Sequence, residues 1–367
     1  LTIMNNDLLY LIALKNTPLV GDITAKKLIN YFGSAENVFA QKKQQLERVG
    51  GIGNKTIEQL LGAANLLLAE NELRYAEKNN ISIITYTDKE YPALLRQCVD
   101  SPILYYQRGR INLHNKRVLS IVGTRNATAY GCAFCEKLIE DLAYLDVVIV
   151  SGYAYGVDIT AHKAAIKHRL QTVACLAHGL NITYPAAHSK YNHEVEENGG
   201  FITDFGTETK FDRKNFLSRN RLIAGLSEAT VVIESGNKGG SLVTADIAYS
   251  YERELFALPG RTTDAMSIGC NELIRSNKAL MITSAKDIIN TLKWDTPAQQ
   301  GVQQELFIDL TTDEQIVYDS LLNGGKQSLD ALALDCQMPI YQVSNLLFQL
   351  EIKNLIQPLP GKYFELK

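Results

Sequence analysis

The chain has 367 residues, 46% hydrophobic and 21% charged, with 37 Lys and Arg against 40 Asp and Glu for a formal net charge of −3. These are ordinary values for a globular protein, and at roughly 150 residues per domain the length fits two or three domains with separate cores. No apolar run approaches the roughly 18 residues of a membrane span, and a near-neutral balance excludes a surface coated in basic groups.

Residues 1–80 read as a module of short helices, over Asp7–Leu14, Thr24–Tyr31 and Lys55–Glu77, separated by Gly-bearing turns. The stretch Val49-Gly50-Gly51-Ile52-Gly53-Asn54-Lys55 has the look of a helix-hairpin-helix turn, and Gly21–Leu28 is a weaker echo. In such a turn, glycines permit tight reversal and the next helix's free N–H groups can face a phosphate. Contact with DNA and simple helical packing both fit this SAM/helix-hairpin-helix-like module. Charge does not decide, because residues 1–80 carry nine basic and eight acidic groups. Leu1–Asn6 lacks the basic-then-apolar pattern of a secretory leader, so a cytoplasmic location is expected.

From about 115 to 292 the sequence alternates apolar β-rich runs with helical segments. The runs are Val118–Val122, Val147–Val150, Thr172–Leu176, Phe201–Phe205, Thr230–Glu234, Leu255–Leu258 and Leu280–Thr283. Helices are expected over Gly131–Tyr144, Asp158–His168, His188–Glu197, Phe216–Leu226 and Ser241–Tyr251. Several runs lack polar alternation, as parallel strands covered on both faces do, so a doubly wound α/β sheet is expected. Six cysteines form no disulfide framework. Cys132 and Cys135 make a C-x-x-C inside a helix, read as buried thiols rather than a redox or metal site.

A polar linker over 294–310 contains Pro297, Gln299, Gln300 and Gln303. Residues 311–367 read as three helices, capped at Thr312–Glu314 and ending with Pro339–Leu350, followed by a hairpin across a Pro-Gly turn. That order is a winged helix. Four lysines and no arginine face seven acidic residues there, a net of −3, so protein contact or dimer support is expected before phosphate docking.

In an open parallel sheet, ligands bind at the carboxyl ends of the strands. Three turns there suit anions. The turn Gly123-Thr124-Arg125 presents an arginine fork, Ser151-Gly152 to Asp158 is bounded by glycines, and Ser235–Ser241 includes Gly240 and a Ser241 placed to cap the next helix. The first is not G-x-G-x-x-G, so a dinucleotide cofactor is not expected, and no P-loop or metal-ligand cluster is present. A fourth segment carries Lys210, Arg213, Lys214, Arg219 and Arg221 with one acid, Asp212, interleaved with Phe211 and Phe216. Cations that track a backbone and aromatic faces that stack bases are the two ingredients of single-strand binding. Ser151, Ser241, Asp158, Asp204, Glu234 and His162 have no triad spacing, and His162 reads as a packing residue.

These residues closely resemble the DprA/Smf family of bacterial DNA-processing proteins. The likeness rests on Ile121–Arg125, Ser151–His162, Tyr184-Pro185, Phe216–Ser227, Gly240–Ala245, Phe256–Gly260 and Ser267–Ile274. It implies an extended Rossmann-like core over 81–293, flanked by the helical module of 1–80 and a winged-helix domain at 311–367. It also implies a cytoplasmic homodimer, not an enzyme, that binds single-stranded DNA and loads the RecA recombinase during natural transformation. By the same resemblance, Arg125, Arg213, Lys214 and Phe216 contact DNA. Gly123, Gly152, Lys210, Arg219, Asn220, Arg221, Gly240 and Ser241 complete the expected DNA-binding set. His178 and Gly239 depart from the family's small residue and serine. The alternative function is a Rossmann-like nucleotide-handling enzyme or nucleotide sensor.

Overall fold

The computed structural model describes residues 6–62, 64–294, 310–353, 355–359 and 362–366. The chain forms two compact units, Leu1–Asp295 and Thr296–Lys367. The first opens with helices α1 (Asn6–Asn16), α2 (Asp22–Phe32), α3 (Ala35–Phe39), α4 (Lys43–Leu46), α5 (Asn54–Leu60) and α6 (Ala64–Lys78). The single helix expected over Lys55–Glu77 is broken between α5 and α6. The Asn65 side chain donates to the Gln59 carbonyl at 2.7 Å across that break and satisfies an end of α5.

The sheet elements follow as β1 (Ser82–Thr85), α7 (Ala93–Gln97), β2 (Leu104–Gly109), β3 (Val118–Gly123), α8 (Ala129–Leu142), β4 (Val148–Ser151), α9 (Val157–Lys167) and β5 (Thr172–Cys175). Then come a 3-10 turn (Ala186–Tyr191), α10 (Asn192–Glu197), β6 (Gly199–Thr203), α11 (Arg213–Leu226), β7 (Ala229–Ile233), α12 (Gly240–Ser250), β8 (Glu254–Ala257), α13 (Ile268–Arg275), β9 (Leu280–Met281) and α14 (Ala285–Leu292). Strand order is β1-β2-β6-β5-β4-β3-β7-β8-β9. The seven strands from β6 to β9 are mutually parallel. The antiparallel pair β1–β2 extends the β6 edge and was not anticipated from the sequence.

Alternate strand residues fill two cores. Leu119, Ile121, Ile149, Val231 and Ile233 pack on one face beneath α8, α9 and α14. Val118, Val122, Val148, Val150 and Val232 pack on the other beneath α11 and α12. Both sets are buried, which removes the polar alternation from the sequence; each such side chain contributes about 1.5–3 kcal/mol. The N-terminal helices share a third core with Tyr106, Leu176 and Phe201 at the sheet's β6 side.

An ionic cluster joins that helical layer to α11. Arg221 of α11 donates to Asp22 at 2.7 Å and to Asp204, while Lys15 reaches Asp22 at 2.9 Å and Asp204 at 3.3 Å. The second Asp22 oxygen accepts the Ile103 N–H at 3.0 Å. Burial alone would push the Asp22 carboxyl up, but Lys15 and Arg221 together hold it at about 2.

The second unit contains α15 (Thr312–Gly324), β10 (Gln327–Ser328), α16 (Leu329–Asp335), α17 (Ile340–Ile352), β11 (Ile356–Leu359) and β12 (Tyr363–Leu366), around a core of Val317, Leu321, Leu332, Val343, Leu347, Leu350 and Ile356. This is a winged helix with strand order β10-β12-β11. Its first cap is Thr311, one residue earlier than expected, in a capping box with Glu314. Pro297, the linker glutamines and the Pro-Gly turn lie outside the described residues. Among the described residues no helix is long and apolar enough to cross a membrane.

The Asp22 carboxylate is more acidic in the folded chain than its ordinary value of 3.8, so its stabilisation is present above about pH 4 and is lost as pH falls toward 2. Urea midpoints measured across that window should decline. Asp22→Asn should start lower and decline less steeply, and parallel curves would refute this role for the cluster.

Candidate nucleic-acid interface

The strand order reverses between β3 and β7. At their carboxyl ends lies a cleft of about 650 Å³, lined by Gly123, Arg125, Tyr184, Phe211, Arg213, Phe216, Lys238, Gly240 and Ser241 among others. Backbone bonds lace its floor. Thr124 donates to the Glu234 carbonyl at 2.8 Å, and Val157 donates to the Thr124 carbonyl at 3.2 Å. Gly156, at φ +76°, passes so close to the first turn that a Cβ would sit 2.6 Å from the Arg125 carbonyl carbon.

Glu234 ends β7 in the left-handed region (φ +55°) and turns its carboxylate back to the first loop. There it accepts the Thr128 N–H at 2.8 Å and the Thr128 hydroxyl. Thr128 in turn caps α8. Arg125 therefore sits on a short loop pinned at both ends, with its own side chain exposed.

Helix α11 begins at Arg213, three residues earlier than expected, because the Asp212 carboxylate accepts the Lys214 N–H at 2.9 Å. Lys210, Arg213 and Lys214 are consequently exposed around a helix N-terminus. Cations there oppose the helix dipole, a local conflict of the kind that marks functional sites. One turn on, Phe216 lies 5.5 Å from Phe211 and 5.7 Å from Tyr184, centre to centre, and Phe211 is 4.8 Å from Tyr184. The Arg125 guanidinium lies 5.6 Å from the Phe216 ring centre. Phe211 and Tyr184 remain 48% and 41% exposed, a large apolar area to leave open to water.

Two arginines of the basic segment lie elsewhere. Arg219 is buried, and its guanidinium donates to the Gly152 carbonyl at 2.6 Å and to the Cys175 carbonyl, with Phe216 6.0 Å away. Burial lowers its pKa and Asp158 opposes the shift; burial also raises the pKa of Asp158, against the pull of Arg219. Arg221 belongs to the ionic cluster with Asp22 and Asp204. Both were expected to touch DNA; both instead satisfy buried acceptors, as buried guanidinium groups must. Gly152, expected with them, accepts from Arg219 and does not line the cleft.

Asn220 lines the cleft while donating to the Gly240 carbonyl at 3.2 Å. Ser241 does not cap α12. Gly239 holds that position with no capping side chain, and the Ser241 hydroxyl donates to Ser235 at 2.9 Å. The first turn of α12 therefore borders the cleft without a side-chain acceptor, a setting that favours an anion.

Outside the expected DNA-binding set, the cleft lining also includes Tyr184, Phe211 and Lys238. Their signals were an aromatic beside Pro185, an aromatic inside the basic run and a lysine inside a glycine-rich turn. His162 is fully buried, bonded through Nδ1 to the Thr172 hydroxyl at 2.7 Å, and burial holds it neutral with a pKa of about 3. The Cys135 thiol is buried and pushed up in pKa, and its neighbour Cys132 is half-buried. No cluster of potential metal ligands occurs among the described residues.

The family model for DNA recombination-mediator protein A matches residues 82–293, and the model for the DprA winged helix domain matches 308–362. The chain belongs to the DprA/Smf family. Protein Smf of Synechocystis is 30% identical over 98% of this chain and 99% of its own. The Bacillus subtilis DNA processing protein DprA is 36% identical over 59% of this chain and 72% of its own. Among solved structures, Streptococcus pneumoniae DprA superposes with a TM-score of 0.65 at 28% identity, covering 77% of this chain and 97% of that one. Helicobacter pylori DprA, studied for its single-stranded DNA binding mode, gives 0.53 at 30% identity over 59% and 96%. The DprA core thus brings Gly123, Arg125, Arg213, Phe216, Asn220, Gly240 and Ser241 to one cleft and leaves Arg219 buried and Arg221 in the ionic cluster with Asp22 and Asp204.

Replacing Arg219 by Met should lower the unfolding free energy by about 3 kcal/mol, because Asp158 and two carbonyls lose their buried partner. Urea unfolding measures this, and an unchanged midpoint would contradict the role assigned to Arg219.

Proposed function

We propose that this DprA/Smf protein binds single-stranded DNA in the cleft between Arg125, Phe216 and the first turn of α12. In this reading it acts as a cytoplasmic homodimer that hands the strand to the RecA recombinase during natural transformation. The observation that carries the reading is the convergence of Arg125, Arg213 and Lys238 on the open Tyr184–Phe211–Phe216 cluster. The cations would track phosphates and the rings would stack bases, each stack worth about 1–3 kcal/mol. A duplex hides its base faces and should bind less well. The family's description as a recombination mediator and the single-stranded DNA binding of the Helicobacter pylori relative support it. The helical module of 1–80, core of 81–293, linker of 294–310 and winged-helix domain of 311–367 are the working parts of this reading.

A nucleotide-handling enzyme or sensor is the second reading, and the cleft's volume would suit one nucleotide. Two observations favour the strand. Lys210 and Lys214 are exposed yet lie outside the cleft lining, so the cationic surface continues past the space of a single nucleotide. Both Glu234 oxygens are occupied by Thr128, which leaves that carboxylate unavailable as a general base.

Fluorescence anisotropy with a labelled oligothymidylate tests the site. Phe216→Ala should weaken binding by about 5- to 150-fold, and Arg125→Glu by a larger factor at low salt. Lys214→Ala should reduce the slope of log affinity against log salt by about 0.7. Unchanged affinity in the first two variants would overturn the reading. Light scattering should report twice the chain mass, and the protein should speed RecA filament growth on protein-coated strands. A monomer would remove the homodimer, and no acceleration would remove the hand-over.

A further inference from the structure

In a helix-turn-helix reader the second helix of the pair enters the major groove. Here that helix is α17, which follows α16. None of its 13 residues, IYQVSNLLFQLEI, is Lys or Arg, whereas docking on phosphates requires them. One face of α17 is used, with Val343, Leu347 and Leu350 in the domain core. The opposite face is open. Tyr341 is 75%, Phe348 57% and Ile352 64% exposed, and Asn345 is exposed between them.

Positions 341, 345, 348 and 352 are spaced by four, three and four residues, the alternation of a two-stranded coiled-coil seam. At about 100° per residue they fall within an arc of roughly 60°. Scattered exposed apolar residues are ordinary, but a continuous stripe marks a contact surface.

We propose that α17 is a self-association surface whose occupant is a second copy of α17, packed parallel along the Tyr341–Asn345–Phe348–Ile352 seam. The charge distribution selects that occupant. Gln342, Ser344 and Gln349 flank the seam without charge, and Glu351, the only charged residue in the helix, flanks its last turn. In a parallel pair the two Glu351 side chains lie on opposite sides of the seam, so two copies meet without close like-charge contact although residues 311–367 carry a net of −3. A single Asn among apolar seam positions fixes register and favours two strands in such pairings. At about 150–250 Å² per aromatic ring, two copies bury on the order of 1,000 Å², the lower end for specific interfaces. The contact is accordingly weak by itself and gains from any other contact that holds two chains together.

Cross-linking in the full chain tests this. Asn345→Cys should form a disulfide-linked dimer under mild oxidation several-fold faster than Asp330→Cys, an exposed position on α16 that reports general proximity. Adding Phe348→Asp, or separately Tyr341→Lys, to Asn345→Cys should bring the rate down to that of Asp330→Cys. Equal rates at positions 345 and 330 would overturn the proposal, as would a rate at 345 that neither second substitution changes. Cross-linking that appears only with duplex DNA would also overturn it and make α17 a nucleic-acid face.

Discussion

Strands β3 and β7 are neighbours, yet the chain leaves them toward opposite faces of the sheet. After β3 it enters α8, whose Cys135, Leu138 and Ile139 pack in one core. After β7 it enters α12, whose Ala245 and Ala248 pack in the other. The two departing loops must separate, and a crevice opens at the carboxyl edge between them. Everything assigned to the candidate site borders that crevice or supports its walls. The Glu234–Thr128 bonds span it, tying the end of β7 to the loop that carries Arg125. The site's location is thus a consequence of strand order before it is a matter of side chains.

Helix α11 shows how one basic run divides its labour. Its first turn stays in water, where a cation keeps its hydration and remains available to a phosphate. Its second turn enters the protein, where a guanidinium must find acceptors for its donors. Arg219 finds the Gly152 and Cys175 carbonyls, and Arg221 finds Asp22 and Asp204. These buried groups hold the helix against the sheet edge and the N-terminal layer, which fixes where Phe216 stands. The ionic cluster also makes the N-terminal helices part of the same structural argument as the cleft, since Asp22 begins α2.

Charge follows the same logic of place over sum. The chain's near-neutral total conceals a Lys210–Arg221 segment of net +4 and a C-terminal domain of net −3. The first borders a cleft with exposed aromatic rings. The second belongs to a winged helix whose would-be reading helix has no cation at all.

The doubly wound sheet, the winged helix and the anion-friendly turns were legible in the sequence because their signals are local. Buried parallel strands appear as apolar runs, helices as 3.6-residue periodicity, and tight turns as glycines beside strand ends. Arg125, Arg213 and Phe216 stood out as candidates for the same reason, each lying in a distinctive short segment. The β1–β2 edge pair was not, because a four-residue strand such as Ser82–Thr85 is stabilised only by a partner distant in sequence. The roles of Arg219 and Arg221 were equally hidden. Their residue type states a charge, but only tertiary packing decides whether that charge meets water or a buried carbonyl 44 or 67 residues away in sequence. Likewise Tyr184 joins Phe211 and Phe216 only because the loops after β5 and β6 converge at one edge of the sheet. Sequence alone thus determined the elements and the chemistry they carry. Tertiary structure decided which of those groups share a site, because burial and proximity are properties of the packed chain.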